Sequence, residues 1–453
     1  MVDANDVAPF LTDWRGKWTG KAFAVTQPES AEDVANIVRW CTAHTMNIVP
    51  QGGNTGMSGA ATPNDADNNV VISLARMARV RDVDPINNTM AVDAGCILQT
   101  LQETAAAHDR LFPLALSAQG SCMIGGNLAT NAGGVGVLRY GNARDLCLGL
   151  EVVTADGDIW HGLRGLRKDN SGYDLRNLFI GSEGTLGIIT AATLKLFPKP
   201  KAQLCAWVAL GSVEDAITLM NAAQSKLGAR LTAFELMSRA CVDLLLEQMP
   251  RLRWPLATPS PWSVLIETSD PDGEVQARDS LESMLEAAFE SHCVSDAAVA
   301  MNIGQAREFW ALRESMGEAQ AKAGHNIKHD ISVPISKFPA FIAHTDAAVT
   351  SKFPPARMIV FGHLGDGNLH YNVSPQTGER GDDFHDLEPA INRIVHDAVD
   401  AFGGSISAEH GLGVLRAVEA RRYKSEVEMK LQRAIKLALD PRGIMNPGKG
   451  LAS

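Results

Sequence analysis

The segment at residues 358–373, M-I-V-F-G-H-L-G-D-G-N-L-H-Y-N-V, places the tightest constraint on how this chain can fold. Two runs with strand-like alternation flank Asp366-Gly367. An Asp-Gly pair between such runs is among the strongest short-range signals for a β-hairpin, because both turn positions favour positive φ. A two-residue loop at Asp366-Gly367 puts His363 directly opposite His370, with Cβ atoms about 5 Å apart on one face.

This pair of imidazoles predicts a metal site. Glu409, in the later segment S-A-E-H-G-L-G, supplies a carboxylate, and a catalytic zinc typically takes three such ligands and leaves one position open. The same set suits Fe(II) or Mn(II). For His363 alone, a satisfied polar side chain at a sheet surface is the simpler interpretation. Its facing with His370 and the later Glu-His dipeptide favour a metal, with His410 as a fourth ligand or a base.

Length and composition exclude several classes of protein. The chain has 453 residues, which suggests two domains or more, and its net charge of −11 argues against a nucleic-acid partner. No apolar run reaches membrane-spanning length and the N-terminus does not resemble a signal peptide, so we expect a cytoplasmic protein. The seven cysteines include no CxxC pair, which disfavours iron–sulfur and cysteine–zinc sites.

Three glycine-rich stretches mark the N-terminal part of the chain. The first, Q-G-G-N-T-G-M-S-G-A, follows a short predicted strand at residues 47–50, and its backbone N–H groups suit a phosphate better than its alternative as a flexible loop. The spacing is not that of a Rossmann fingerprint. The second stretch, residues 117–134, suits a flat heterocycle and a pyrophosphate. The third, residues 179–197, ends in strand-like alternation.

These three stretches, in this order, resemble the FAD-binding domain of the vanillyl-alcohol oxidase / p-cresol methylhydroxylase family over roughly residues 20–198. The resemblance implies bound FAD. Some relatives attach the flavin covalently, but Asn54 stands here where a His might, so we expect non-covalent FAD, with Cys122 as the remaining candidate for a link. The implied cofactor-binding residues are Pro50, Gly52, Gly53, Asn54, Thr55, Gly56, Gly59, Ser117, Gly120, Ser121, Ile124, Gly125, Gly126, Thr130, Asn131, Gly134, Glu183, Gly187, Ile188 and Asn446.

The remaining segments predict a second domain. Pro198 and Pro200 mark a boundary, and the strand–helix–strand order that follows predicts an antiparallel sheet with helices on one face. The fold class is therefore α+β. We expect a two-part FAD-binding domain of the vanillyl-alcohol oxidase type at residues 1–200, a substrate- and metal-binding domain at residues 201–405, and a C-terminal segment at residues 406–453 that returns to the first domain.

Two cations are candidates for binding an acidic substrate. Arg313, on a predicted helix at residues 304–323, has a planar guanidinium that binds a carboxylate through two hydrogen bonds. From periodicity alone, a surface arginine paired with Glu314 or Glu318 is the simpler interpretation. Lys328 suits a second acid group of the substrate, and its simpler interpretation is a solvated lysine on a strand.

The C-terminal motifs extend the resemblance to nearly the whole chain. Five motifs resemble those of the FAD-linked D-2-hydroxyacid dehydrogenases, nearest to those that act on D-2-hydroxyglutarate. They are W-A-L-R-E, K-H-D-I-S-V-P, the hairpin, E-H-G-L-G and D-P-R-G-I-M-N-P-G-K. The resemblance implies zinc or another divalent metal as a second cofactor. The implied roles are zinc ligands at His363, His370 and Glu409, a base at His410, contacts to the C1 carboxylate or hydroxyl from Arg313 and Asn372, and contact to the distal carboxylate from Lys328.

Two positions depart from this family, and both bear on the substrate. Gly317 stands where the hydroxyglutarate enzymes have Thr, and His329 stands where they often have Tyr. D-Malate, D-lactate and glycolate therefore stay open as substrates. A non-catalytic flavin relay subunit and a sugar-lactone oxidase are two further candidate functions. We expect an electron-transfer flavoprotein or a quinone as electron acceptor, and a homodimer by analogy with relatives.

Overall fold

The strands and helices follow one another along residues 1–257, 260–376 and 382–450, which are the residues that this computed structural model describes. The strands are β1 Ala24–Thr26, β2 Asn47–Gln51, β3 Asn69–Ser73, β4 Val80–Asp84, β5 Thr89–Asp93, β6 Arg110–Leu111, β7 Cys147–Thr154, β8 Ile159–Gly162, β9 Gly187–Lys195, β10 Phe197–Pro198, β11 Ala202–Leu210, β12 Leu231–Ser238, β13 Trp262–Asp270, β14 Asp296–Val299, β15 Asp330–Ser332, β16 Arg357–His363 and β17 Asn368–Ser374. The α-helices are α1 Ala4–Leu11, α2 Ala31–Ala43, α3 Leu98–Ala107, α4 Ile124–Ala129, α5 Val137–Tyr140, α6 Arg176–Phe179, α7 Val213–Leu227, α8 Arg239–Gln248, α9 Glu274–Glu290, α10 Ile303–Glu314, α11 Met316–Ala323, α12 Phe338–Lys352, α13 Glu388–Ala401, α14 Ala417–Tyr423 and α15 Glu426–Leu439.

The chain divides into two units. The first comprises residues 1–134, 140–199 and the chain from Glu409 onward, and the second comprises residues 135–139 and 200–408. The short segment 135–139 is therefore an excursion of the N-terminal part into the second unit, which the sequence did not predict.

The first unit contains a parallel sheet, β1-β3-β2, and an antiparallel sheet, β4-β5-β9-β7-β8. Ser30 caps helix α2, since its hydroxyl accepts from the Asp33 N–H in a capping box. The apolar face of the helix joins the core of both sheets. The C-terminal segment completes this core. Ile444 and Met445 are buried in it, and Met445 pairs with Ile48 as a parallel bridge to β2.

The second unit is built on a seven-stranded antiparallel sheet of order β14-β11-β13-β12-β16-β17-β15. Helices α7 and α9 contact each other and the central strands, as the strand–helix order predicts. Helices α8, α10 and α11 form a separate cluster with the side chains of Trp207, Leu265 and Phe361. None of the described residues of α7 or α9 belongs to this cluster. Helices thus cover both faces of the sheet, and the prediction of helices on one face was incomplete.

The hairpin forms with a different register from the predicted one. Residues 364–366 form a 3₁₀ turn and Gly367 has φ +86°, so the loop contains four residues instead of two. His370 therefore lies opposite Phe361, and the prediction that it faces His363 directly was wrong. The shift is two residues, and side chains alternate with a period of two, so His363 and His370 still lie on the same face.

Candidate functional site: a metal-ligand cluster and a glycine-lined cradle

His363 and His370 lie close together on one face of the second unit's sheet. Their ring centroids are 5.8 Å apart. Glu409 stands where the chain leaves this unit, directly after Ala408, whose N–H donates to the Asp330 carbonyl at 3.2 Å. The ligand atoms of His363, His370 and Glu409 all lie within 4.8 Å of one another. Two ligands on one zinc ion lie at most about 4 Å apart, so binding requires only a small closure.

A buried carboxylate that the sequence pattern did not single out orients His363. Glu235, on β12, lies opposite His363 in the antiparallel pairing of β12 with β16 and is 1% exposed. Its Oε1 is 2.7 Å from Nδ1 of His363. A hydrogen bond to a carboxylate requires the proton on Nδ1, which leaves the lone pair of Nε2 for a metal. The detectable signal is one acidic residue within the apolar strand T-A-F-E-L-M.

The same carboxylate binds Arg313. Nε of Arg313 donates to Oε2 of Glu235 at 2.9 Å, and its Cζ lies 4.9 Å from the ring centroid of Phe361. Burial alone would raise the pKa of Glu235, but His363 and Arg313 hold it below its ordinary value. Arg313 is 8% exposed, which is incompatible with the surface arginine of the simpler interpretation. Its Nη2 is buried and has no hydrogen-bond partner among the described residues, so it can bind an anion.

Asn372 and Lys328 occupy neighbouring strands. Oδ1 of Asn372 accepts from the His329 N–H at 3.0 Å, and its Nδ2 donates to Oε1 of Gln320 at 3.0 Å. Both polar groups thus have protein partners, and a contact from Asn372 to substrate stays a prediction. Lys328 is exposed. The pairing of Ile327 with Val373 and of residue 330 with residue 370 puts Lys328 opposite Asn372.

His410 lies in a backbone segment that the first unit holds firmly. Oγ of Ser58 donates to the His410 carbonyl at 2.9 Å. The carboxylate of Glu183 accepts from the N–H groups of Leu412 and Gly413, both at 2.7 Å. Burial raises the pKa of Glu183, while these two N–H groups act in the opposite direction. Glu183, predicted to contact FAD, therefore fixes the segment that carries Glu409 and His410.

The first two glycine-rich stretches touch each other. A Cβ on Gly53 would lie 2.2 Å from the Ser121 carbonyl oxygen, so only glycine permits this approach. By contrast, a Cβ on Gly56 or Gly126 would have no heavy atom of the described residues within 4 Å, apart from those of its chain neighbours and, for Gly126, the backbone of its own helix. Their backbones therefore border open space, as a cradle for a flat or phosphorylated ligand requires. Asn54 adopts φ +51°, and its Nδ2 donates to the Thr12 carbonyl at 2.8 Å.

The other predicted cofactor residues lie within or next to the three glycine-rich stretches along the chain. Several have roles within the protein itself. Ile124 and Ile188 are core residues, so only their backbones can contact a ligand, and the Thr130 hydroxyl donates to the Gly126 carbonyl at 3.0 Å. The remaining positions are Pro50 in β2, Gly52, Thr55 and Gly59 after it, Ser117, Gly120 and Ser121 before α4, Gly125 within α4, Asn131 and Gly134 after α4, and Gly187 at the start of β9.

Asn446 brings the C-terminal segment to the same loops. Its Nδ2 donates to the carbonyls of Ala60 at 3.0 Å and Glu183 at 2.7 Å. Its Oδ1 is buried without a hydrogen-bond partner among the described residues, so it can accept a bond from a ligand. The open space beside Gly56 and Gly126 and this unpaired acceptor fit an FAD cradle.

Two expectations from composition can be compared with the structure. All seven cysteines are buried and free. Burial raises the pKa of the Cys122 thiol, which makes it a poor nucleophile for a flavin link. Among the residues that the structure describes, no helix is both long and apolar enough to cross a membrane.

Comparison with known proteins identifies both halves of the chain. The model of the FAD binding domain matches residues 22–162, and that of FAD linked oxidases, C-terminal domain, matches residues 199–450. The mitochondrial D-2-hydroxyglutarate dehydrogenase of Arabidopsis thaliana is 38% identical over 97% of this chain and 77% of its own length. The D-2-hydroxyglutarate dehydrogenase of Xanthomonas citri is 37% identical over 99% of this chain and 93% of its own length.

Solved structures agree on the fold. A p-cresol methylhydroxylase with substrate bound superposes with a TM-score of 0.76 at 17% identity, covering 100% of this chain and 93% of that one. The predicted fold class and the predicted resemblance are both confirmed. The chain therefore belongs to the FAD-linked oxidases, as an FAD-dependent D-2-hydroxyacid dehydrogenase.

Proposed function

We propose that this protein oxidises a D-2-hydroxyacid, D-2-hydroxyglutarate or a similar dicarboxylate such as D-malate, to the 2-oxoacid with the help of a divalent metal, most simply zinc. The observation that carries the proposal is the convergence of His363, His370 and Glu409 on one small volume. The buried, unpartnered Nη2 of Arg313 supports an anionic substrate. The names of the plant, animal and bacterial relatives favour D-2-hydroxyglutarate.

Each residue has a definite task in this proposal. A divalent metal, when bound, lowers the pKa of a coordinated hydroxyl group, and FAD, when bound, accepts hydride at N5. His410 takes the hydroxyl proton, Arg313 and Asn372 orient the C1 end of the substrate, and Lys328 binds the distal carboxylate. The metal-ligand group comprises three described residues and does not include His410, which favours the base over a fourth ligand.

The proposal also includes the electron acceptor, the oligomeric state and the cellular location of the enzyme. Non-covalent FAD passes its electrons to an electron-transfer flavoprotein or a quinone, since no nicotinamide fingerprint is present. A homodimer remains a prediction. So does a cytoplasmic location, because the plant and animal relatives are named as mitochondrial proteins.

The decisive experiment is anaerobic bleaching of the flavin by a panel of D- and L-2-hydroxyacids, before and after removal of metal by a chelator. We expect bleaching by D-2-hydroxyglutarate or D-malate, its loss on chelation and its recovery with Zn²⁺. Bleaching by D-lactate or glycolate alone would keep the chemistry but reject the dicarboxylate and the role of Lys328. No bleaching by any acid, with FAD still bound, would reject the dehydrogenase in favour of a relay subunit or a lactone oxidase.

A further inference from the structure

One carboxylate joins two groups of different function in the second unit. Glu235 contributes Oε1 to Nδ1 of His363 at 2.7 Å and Oε2 to Nε of Arg313 at 2.9 Å. His363 is a proposed metal ligand, and Arg313 is the proposed anchor for the substrate carboxylate. We infer that Glu235 is a positioning residue that sets metal affinity and carboxylate binding together. This inference rests on the proposed function and deepens it.

The burial of Glu235 makes both bonds necessary. The residue is 1% exposed, so water cannot replace a lost partner. A buried carboxylate that loses a charged partner is strongly destabilised, because its charge is then left without compensation. The β12–β16 pairing fixes Glu235 beside His363 through backbone hydrogen bonds. The geometry is therefore set by the sheet and does not depend on a flexible loop.

The hydrogen-bond chemistry explains why a carboxylate is required. Both partners donate, since Nε of Arg313 always carries a proton and Nδ1 of His363 must carry one to leave Nε2 open for a metal. A carboxylate accepts from both. A glutamine offers one acceptor oxygen and one NH₂ group, so its NH₂ would face a donor on one side. Either His363 changes tautomer and loses Nε2 as a ligand, or Arg313 moves.

Glu267 provides a matched control on the neighbouring strand β13. Its Oε2 accepts from Nε1 of Trp310 at 2.7 Å, and its Oε1 accepts from the Thr232 hydroxyl at 3.1 Å. A hydroxyl can donate or accept, and that of Thr232 has a second acceptor in the Glu267 carbonyl at 3.0 Å. A glutamine at position 267 can therefore keep both bonds. Glu235 and Glu267 are thus both carboxylates on the sheet, but only Glu235 has two obligate donors.

The test compares Glu235→Gln with Glu267→Gln in the FAD-loaded protein. Zn²⁺ affinity is measured by competition with a chromogenic chelator, and KM and kcat are measured for D-2-hydroxyglutarate at saturating Zn²⁺. For Glu235→Gln we expect Zn²⁺ binding weaker by about 10- to 100-fold, the scale of lost outer-shell partners of metal-bound histidine. We also expect KM to rise more than kcat falls. Glu267→Gln should match the wild type in both respects.

The outcomes separate this inference from the proposed function. If the wild type binds no Zn²⁺ and no 2-hydroxyacid bleaches its flavin, the proposed function fails. If the wild type binds Zn²⁺ and Glu235→Gln binds it as tightly with unchanged KM, only the role of Glu235 fails. If Glu235→Gln does not fold, Glu235→Asp replaces it, because the shorter chain withdraws the charge from both partners, and wild-type Zn²⁺ affinity in that variant would overturn the inference.

Discussion

His410 is held in place through its backbone, so its imidazole can be replaced without removing the contact that positions the residue. The Ser58 hydroxyl donates to the carbonyl of His410, so replacing the imidazole leaves this anchor intact. We expect His410→Gln to lower kcat by about 100- to 10,000-fold, the range typical of a lost general base. Metal and FAD content, measured by elemental analysis and absorbance, should stay at wild-type levels. Loss of the metal in this variant would instead identify His410 as a ligand.

Lys449 predicts a pH dependence of stability in the alkaline range. Burial lowers its pKa from 10.5 to about 8, although the charge of Glu183 opposes the shift. Between these two pH values the unfolded chain binds more protons than the folded protein, so the free energy of unfolding should rise with pH. The stability gained in this way is complete above pH 10.5, the pKa of Lys449 in the unfolded chain. It is lost as the pH falls through about 8, the pKa of Lys449 in the folded protein.

The measurement is thermal unfolding between pH 8 and 10, compared for the wild type and Lys449→Met. Since the variant has no buried amine to deprotonate, its Tm should rise less with pH than that of the wild type. Lys424→Met, at an exposed lysine, serves as the control and should follow the wild type. Identical pH profiles for wild type and Lys449→Met would contradict this origin of the effect.

At the scale of elements, the glycine-rich loops divide into structural and ligand-facing positions. The Cβ of an alanine at position 53 would meet the Ser121 carbonyl oxygen at 2.2 Å, whereas at position 56 it would have no described atom within 4 Å beyond its chain neighbours. We expect Gly53→Ala to lower the Tm of the FAD-free protein and its FAD content together. Gly56→Ala should keep the FAD-free Tm and weaken only FAD affinity, measured by fluorescence titration. If the FAD-free forms of both variants had the same Tm, the distinction between a structural Gly53 and a ligand-facing Gly56 would be wrong.

Much of the element order was predictable because local signals set it. The Ser30 capping box, the Asp-Gly hairpin and the glycine-rich loops all depend on residues close in sequence. The hairpin register was not predictable, because a four-residue loop with a 3₁₀ turn competes with the two-residue turn. His363 and His370 were still predicted to lie on the same face, because a shift of two residues leaves each side chain on its original face of the strand.

The site shows a similar limit. His363, His370 and Glu409 were predicted from residue types and spacing, and the structure brings them together. Glu235 was missed because a lone acidic residue in an apolar strand gives no hint of its partner, which lies 128 residues away. Glu183 was assigned to the cofactor through the family resemblance, while its bonds to Leu412 and Gly413 depend on a long-range return of the chain.

At the scale of the whole molecule, Glu183 connects parts of the chain that lie far apart in the sequence. It accepts from backbone groups 229 and 230 residues further along the chain. A glutamine at this position can accept from only one side of its amide, so one buried N–H group loses its charged acceptor. We expect Glu183→Gln to lower the free energy of unfolding by about 1–3 kcal/mol, measured by urea denaturation.

The same variant should also loosen the segment locally. Limited proteolysis should then cut residues 409–416 faster in Glu183→Gln than in the wild type, because the loop opens more often. If Glu183→Gln had wild-type stability and an unchanged cleavage rate, the hydrogen bonds from Glu183 to this segment would not be needed to hold it.

The return of the chain has a consequence for biosynthesis. All segments of the second unit, 135–139 and 200–408, leave the ribosome before the first unit is complete. Ile444 and Met445, which fill the core of the first unit, are translated only after the whole second unit. The core of the first unit is therefore complete only after these two residues have emerged. We expect flavin binding to require this complete core, so nascent chains that stall before residue 444 should remain colourless.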